Sequence, residues 1–96
     1  EHHYLKVLEL TPDDSMPYIN ISNYYLKNTK YKKCVETLEE ALSKKLGTKE
    51  LLNNLGIAYL ATKENEKSKS MFEKALKIDP SYKPAIDNLE NLEKIN

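Results

Sequence analysis

The chain has 96 residues, 40% apolar and 31% charged, with fifteen basic residues against fifteen acidic ones and a net charge of zero. That length allows one domain with a modest core. The balanced charge gives no general pull towards nucleic acid or anionic lipid, and no apolar stretch reaches membrane-spanning length. All fifteen basic residues are lysine, so bidentate arginine clamps on phosphate or carboxylate are unavailable. The single Cys34 excludes an internal disulfide. No signal peptide is visible, which favours a cytoplasmic setting, although the chain opens in mid-helix as an excised fragment would.

Scarce valine and abundant Lys, Glu, Leu and Asn favour helix over strand throughout. Residues 1–10 read as a helix with Tyr4, Val7 and Leu8 on one face. Thr11-Pro12-Asp13-Asp14 is a turn, because proline interrupts helices and aspartate suits caps. Ser15 is placed to cap a second helix ending near Asn28, with Tyr18, Ile21 and Tyr25 as its apolar stripe. A third helix, from Tyr31 to about Lys45, carries Cys34, Val35, Leu38, Ala41 and Leu42, and Gly47 is expected to close it as a C-terminal cap. Thr48 caps a fourth helix, Lys49 to Ala61, with Leu52, Leu55 and Tyr59 inside. A fifth runs from about Glu64 to Ile78 with Ser68, Phe72, Ala75 and Leu76, until Asp79-Pro80 stops it. A last helix runs from about Tyr82 to Ile95. Some six helices joined by short loops must pack as antiparallel neighbours.

The apolar stripes share one register. Tyr4, Leu38 and Phe72 are 34 residues apart, as are Val7, Ala41 and Ala75, then Leu8, Leu42 and Leu76, then Ile21, Leu55 and Leu89. A common step along the whole chain requires a repeated supersecondary unit, stacked so that each unit buries its apolar face on the next. Residues 49–82 offer Leu52, Leu55-Gly56 and Tyr59, then Ser68, Phe72, Ala75 and Pro80. Residues 15–48 offer Tyr18, Ile21-Ser22 and Tyr25, then Cys34, Leu38 and Ala41, with Leu46-Gly47 in place of the closing proline. This pattern resembles the tetratricopeptide repeat family. The resemblance implies an all-α helical-hairpin solenoid: the second helix of a partial repeat at 1–14, full repeats at 15–48 and 49–82, and a capping helix at 83–96. Glu90 and Glu93 stand where Gly56 and Tyr59 stand one unit earlier, and charges there suit a helix that ends a stack.

In that family the first helix of each unit lines a concave groove. Superposition of the three such helices puts Asn20, Asn54 and Asn88 in one column. Asn23 and Asn91 share a second row, and Asn53, Ile57 and Lys27 complete the expected peptide-binding set. An asparagine amide carries both donor and acceptor, so it can pair with a peptide bond without reading the side chain. The column resembles the asparagine ladder with which one repeat domain of this family holds extended peptide backbones. A clamp for acidic C-terminal tails would need lysines where Ile19 and Pro84 stand, so that ligand is not expected.

His2 and His3 are adjacent and diverge by about 100° on a helix, so they do not form a chelating pair. Cys34 takes a small-residue slot and reads as a buried thiol. No Walker loop, dinucleotide fingerprint, catalytic triad or metal spacing occurs. The expected function is a protein–protein interaction scaffold that binds a protein or peptide partner in its groove, without enzyme activity, cofactor, nucleic acid or membrane insertion. The alternative is a structural or self-association segment of a larger protein, with homodimerisation through the unpaired N-terminal helix.

Overall fold

The computed structural model describes residues 15–95. Five helices make up this span: α1 (Ser15–Lys27), α2 (Tyr31–Ser43), α3 (Lys49–Ala61), α4 (Asn65–Ile78) and α5 (Lys83–Ile95). The expected helix at 1–10, the histidine pair, and the proposed dimer contact lie outside the described residues. No strand occurs among the described residues.

The periodic apolar residues are the core. Tyr18, Ile21, Leu38, Leu55, Phe72 and Ala75 are fully buried, and Leu52, which stands in the family's tryptophan position, is nearly so. α1 pairs with α2 and α3 with α4, as antiparallel hairpins, and α5 packs against α4. α1 also touches α3, and α3 touches α5, whereas α2 and α4 do not meet. Side-by-side contact in one layer only makes the stack curve towards the odd-numbered helices, so their outer stripe is the concave face.

Local signals explain most of the helix ends. The Thr48 hydroxyl accepts from the Leu51 N–H at 3.3 Å and caps α3. Pro84 lies in the first turn of α5, where its missing N–H costs nothing. Ser15 lies within α1 rather than preceding it. Gly47 does not close α2. The helix stops at Ser43, and Lys45 takes the left-handed conformation at φ 62°, with its N–H on the Leu42 carbonyl at 2.9 Å. Gly47 is instead a place of close approach, since a Cβ there would come within 3.0 Å of Leu42. Thr29 and Lys63, 34 residues apart, adopt left-handed φ values of 58° and 65° in the two intra-repeat turns.

Side-chain bonds tie the layers together. The Ser68 hydroxyl donates to the Gly56 carbonyl at 2.7 Å, and the Cys34 thiol approaches the Ser22 carbonyl at 3.8 Å. These are one contact in two repeats, because Ser68 and Cys34 occupy the same register position, as do Gly56 and Ser22. Lys49 bonds Asp79 at 2.7 Å and lies over the Tyr82 ring, joining the start of α3 to the turn before α5. Tyr59 donates to Glu39 across the α2–α3 contact.

Candidate binding face

The concave stripe of α1 presents Asn20, Asn23 and Lys27, all exposed. Together with the half-buried Tyr24 they line a shallow pocket of about 390 Å³. Tyr24 was not among the residues read from the sequence, although its position four residues after Asn20 puts it on the same helix face. On α3, Asn54 and Ile57 are half-buried, and Asn53 is buried at 5% exposure. On α5, Asn88 is half-buried and Asn91 exposed.

The asparagines meet one another across helices. Asn54 Nδ2 donates to Asn23 Oδ1 at 2.9 Å and to the Ser22 hydroxyl at 2.9 Å, linking α3 to α1. Asn88 Nδ2 donates to Asn53 Oδ1 at 3.0 Å, linking α5 to α3. Two members of the column therefore hold the odd-numbered layer together with their N–H groups, and their carbonyl oxygens accept nothing from the described residues. Asn53 serves as the acceptor for Asn88 beneath the surface. Asn20 is exposed on the stripe of α1. Ser22, invisible as a site residue in the sequence, is fully buried and donates its own proton to the Ile19 carbonyl at 2.7 Å.

The groups with displaced pKa values lie away from this stripe. Burial pushes the Cys34 thiol up to about 12, so it carries no thiolate near neutral pH. Burial and the hydrogen bond to Glu39 raise Tyr59. Hydrogen bonds from Lys49 and Ser81 hold the Asp79 carboxyl down to about 2. Each of these groups supports packing between helices. No group of three His, Cys, Asp or Glu side chains among the described residues could hold a metal ion, and no described helix is long and apolar enough to cross a membrane.

A larger cavity of about 550 Å³ lies beside the α1–α2 turn, walled by Tyr31, Lys32, Ala61 and Thr62 among others. Thr29, Lys30 and Lys33 complete its lining. No buried side-chain polar atom among the described residues lacks a partner that a ligand there could supply. The asparagine stripe is the better candidate, because it combines half-buried amides with open carbonyl groups.

The comparisons with known proteins fit this architecture. Profiles of the tetratricopeptide repeat match residues 50–82 and 17–43, together more than half of the chain. The human protein O-mannosyl-transferase TMTC3 is 33% identical over 86 residues, which is 88% of this chain and 9% of that protein. The chain thus spans about a tenth of the curated relative it matches. The repeat pattern, the helical-hairpin stack and the two profile matches place the chain in the tetratricopeptide repeat family, whose helical stacks serve as scaffolds for protein–protein interaction.

Proposed function

We propose that the concave face of α1, α3 and α5 binds an extended segment of a partner protein, chiefly through its main chain. The observation that carries this reading is the asparagine column. Asn54 and Asn88 are held in place by bonds to the neighbouring helix while their carbonyl oxygens stay open. An extended strand offers N–H and C=O groups at regular spacing, and fixed amides meet them with little loss of side-chain entropy. Asn20, Asn23, Tyr24 and Lys27 add a pocket for one side chain at the α1 end. Asn91 and Ile57 extend the stripe, and Asn53 supports it from below.

The test uses a peptide selected against the wild-type chain from a random display library. Replacement of Asn20, Asn54 and Asn88 by Ala is expected to weaken its binding about tenfold or more, since each lost hydrogen bond contributes about 0.5–1.5 kcal/mol. Asn20→Ala alone is the cleanest arm, because Asn20 is exposed on the stripe. Affinity should change little with salt, as the contacts are neutral. Unchanged affinity in the triple variant, with helicity intact, would move the ligand off this face.

A second reading takes the stack as a purely structural arm. The cross-helix bonds of Asn54 and Asn88 favour it, since they also make sense with no ligand at all. Similarity to an O-mannosyl-transferase suits either reading. In such a protein the repeats would hold or position a polypeptide while chemistry proceeds in another domain.

A further inference from the structure

We propose that Ser22 is a positioning residue that sets which end of the Asn54–Asn23 amide pair donates and which accepts, and so sets the direction in which a peptide lies in the groove. The inference rests on the groove reading above.

An isolated pair of asparagine amides has no preferred sense. Rotating both by half a turn exchanges donor and acceptor and leaves one hydrogen bond between them. Ser22 removes that freedom. Its single hydroxyl proton goes to the Ile19 carbonyl at 2.7 Å, a back-bond of the kind serine makes inside helices. With that proton committed, the Ser22 oxygen can only accept. The Asn54 atom 2.9 Å from it must therefore be Nδ2. The second proton of the same NH2 group reaches Asn23 Oδ1, also at 2.9 Å. Both Asn54 protons are then used, which leaves its oxygen to accept, and the Asn23 oxygen is used, which leaves its NH2 group to donate. The pair presents one acceptor and one donor in a fixed order across α3 and α1, which matches the N–H and C=O of a peptide in one chain direction and opposes them in the other.

The next step of the stack lacks this device. Gly56 occupies the Ser22 position on α3 and has no hydroxyl, and among the described residues Asn88 Nδ2 meets only Asn53 Oδ1. Direction is decided at the α1–α3 step.

Two measurements test the proposal. Without ligand, NMR of the 15N-labelled protein should show the Asn54 side-chain NH2 exchanging on the order of tenfold more slowly than that of Asn23, equivalent to about 1.4 kcal/mol. The two should become alike in Ser22→Ala. Ser22→Gly, which copies the residue at the Gly56 position, should do the same and guards against a packing fault in the first variant. Equal exchange in the wild type, or an undiminished difference in both variants, would overturn the proposal. With ligand, the display-selected peptide carries a spin label at its N-terminus. In the wild type the label should broaden resonances of α1 or of α5, but not both; in Ser22→Ala it should broaden both. Retention of one orientation in both variants would overturn the proposal while leaving groove binding intact. Broadening confined to the even-numbered helices would overturn the groove reading itself.

Discussion

A Cβ placed on Gly56 would lie 2.5 Å from Cε1 and 2.8 Å from Cδ1 of Phe72. Phe72 is fully buried, so its ring has nowhere to swing. The equivalent pair one repeat earlier is Ser22 and Leu38, both also fully buried. The smaller Leu38 leaves room for the serine side chain, and that side chain then becomes available to Asn54. Small with large in one repeat, and larger with smaller in the other, fill the same helix crossing.

Gly56→Ala should therefore destabilise the fold by about 1–3 kcal/mol, the range for overpacking a core. The change would otherwise gain up to about 1 kcal/mol of helix propensity. Adding Phe72→Leu, which copies the first repeat, should recover part of the loss relative to the sum of the single changes. Urea denaturation of the four proteins in the cycle measures the coupling. A Gly56→Ala variant more stable than wild type would contradict the packing.

Ser68 and Cys34 make the same helix-to-helix contact with different atoms, at 2.7 Å and 3.8 Å. Ser68→Ala leaves the buried Gly56 carbonyl without this donor and should cost about 1–3 kcal/mol. Cys34→Ser installs the hydroxyl that Ser68 already uses in equivalent surroundings, and should cost under about 1 kcal/mol. Chemical denaturation checks the order, and a Cys34→Ser loss larger than that of Ser68→Ala would show that the two contacts are not equivalent.

Thr29 is a β-branched residue held at φ 58°. That conformation is costly for such side chains and free for glycine. Thr29→Gly should raise stability by about 0.5–1 kcal/mol, with the gain reduced by the greater freedom of glycine in the unfolded chain. Thr29→Val, which keeps the branch, should show no gain. A rise in melting temperature with Gly and none with Val is the expected pattern.

Asp79 is held at about 2 against an ordinary 3.8, first by its hydrogen bond from Lys49 and then by those from Ser81. A carboxylate with a depressed folded-state pKa stabilises the fold fully above its unfolded value. The contribution falls as pH drops through the interval between the two values and is gone below the folded one. Thermal unfolding of wild type and Asp79→Asn should differ by a constant amount above about pH 5 and converge between about pH 4 and pH 2. A difference that persists unchanged at the acid end would mean that Asp79 acts through packing rather than charge. The site is partly open to solvent, so added salt should shrink the effect.

Much of the architecture is legible in the residues alone. The 34-residue recurrence of Leu38 with Phe72, and of Ile21 with Leu55 and Leu89, states both the helical period and the stacking period. Burial of apolar stripes is a one-dimensional requirement that the chain order itself records. Thr48 was readable as a cap for the same reason, since a cap bonds only to residues three places away. The end of α2 was not. Gly47 looked like the stop, but the helix ends at Ser43, and Lys45 and Leu46 turn back to bond Leu42 and Ala41 before Gly47 is reached. Left-handed geometry at a lysine has no signature in composition.

The candidate site divides in the same way. The sequence by itself placed Asn20, Asn54 and Asn88 in one column, because register follows from counting. Only the tertiary structure decided what their amides do, since Asn54 meets Asn23 and Ser22 across a gap of 31 and 32 positions. The direction of those bonds turns on one hydroxyl proton donated to Ile19. Packing of whole helices sets which side chains face each other, and hydrogen-bond polarity depends on where every proton in the cluster has already gone. Neither is a property of any single segment, so neither could be read before the helices were brought together.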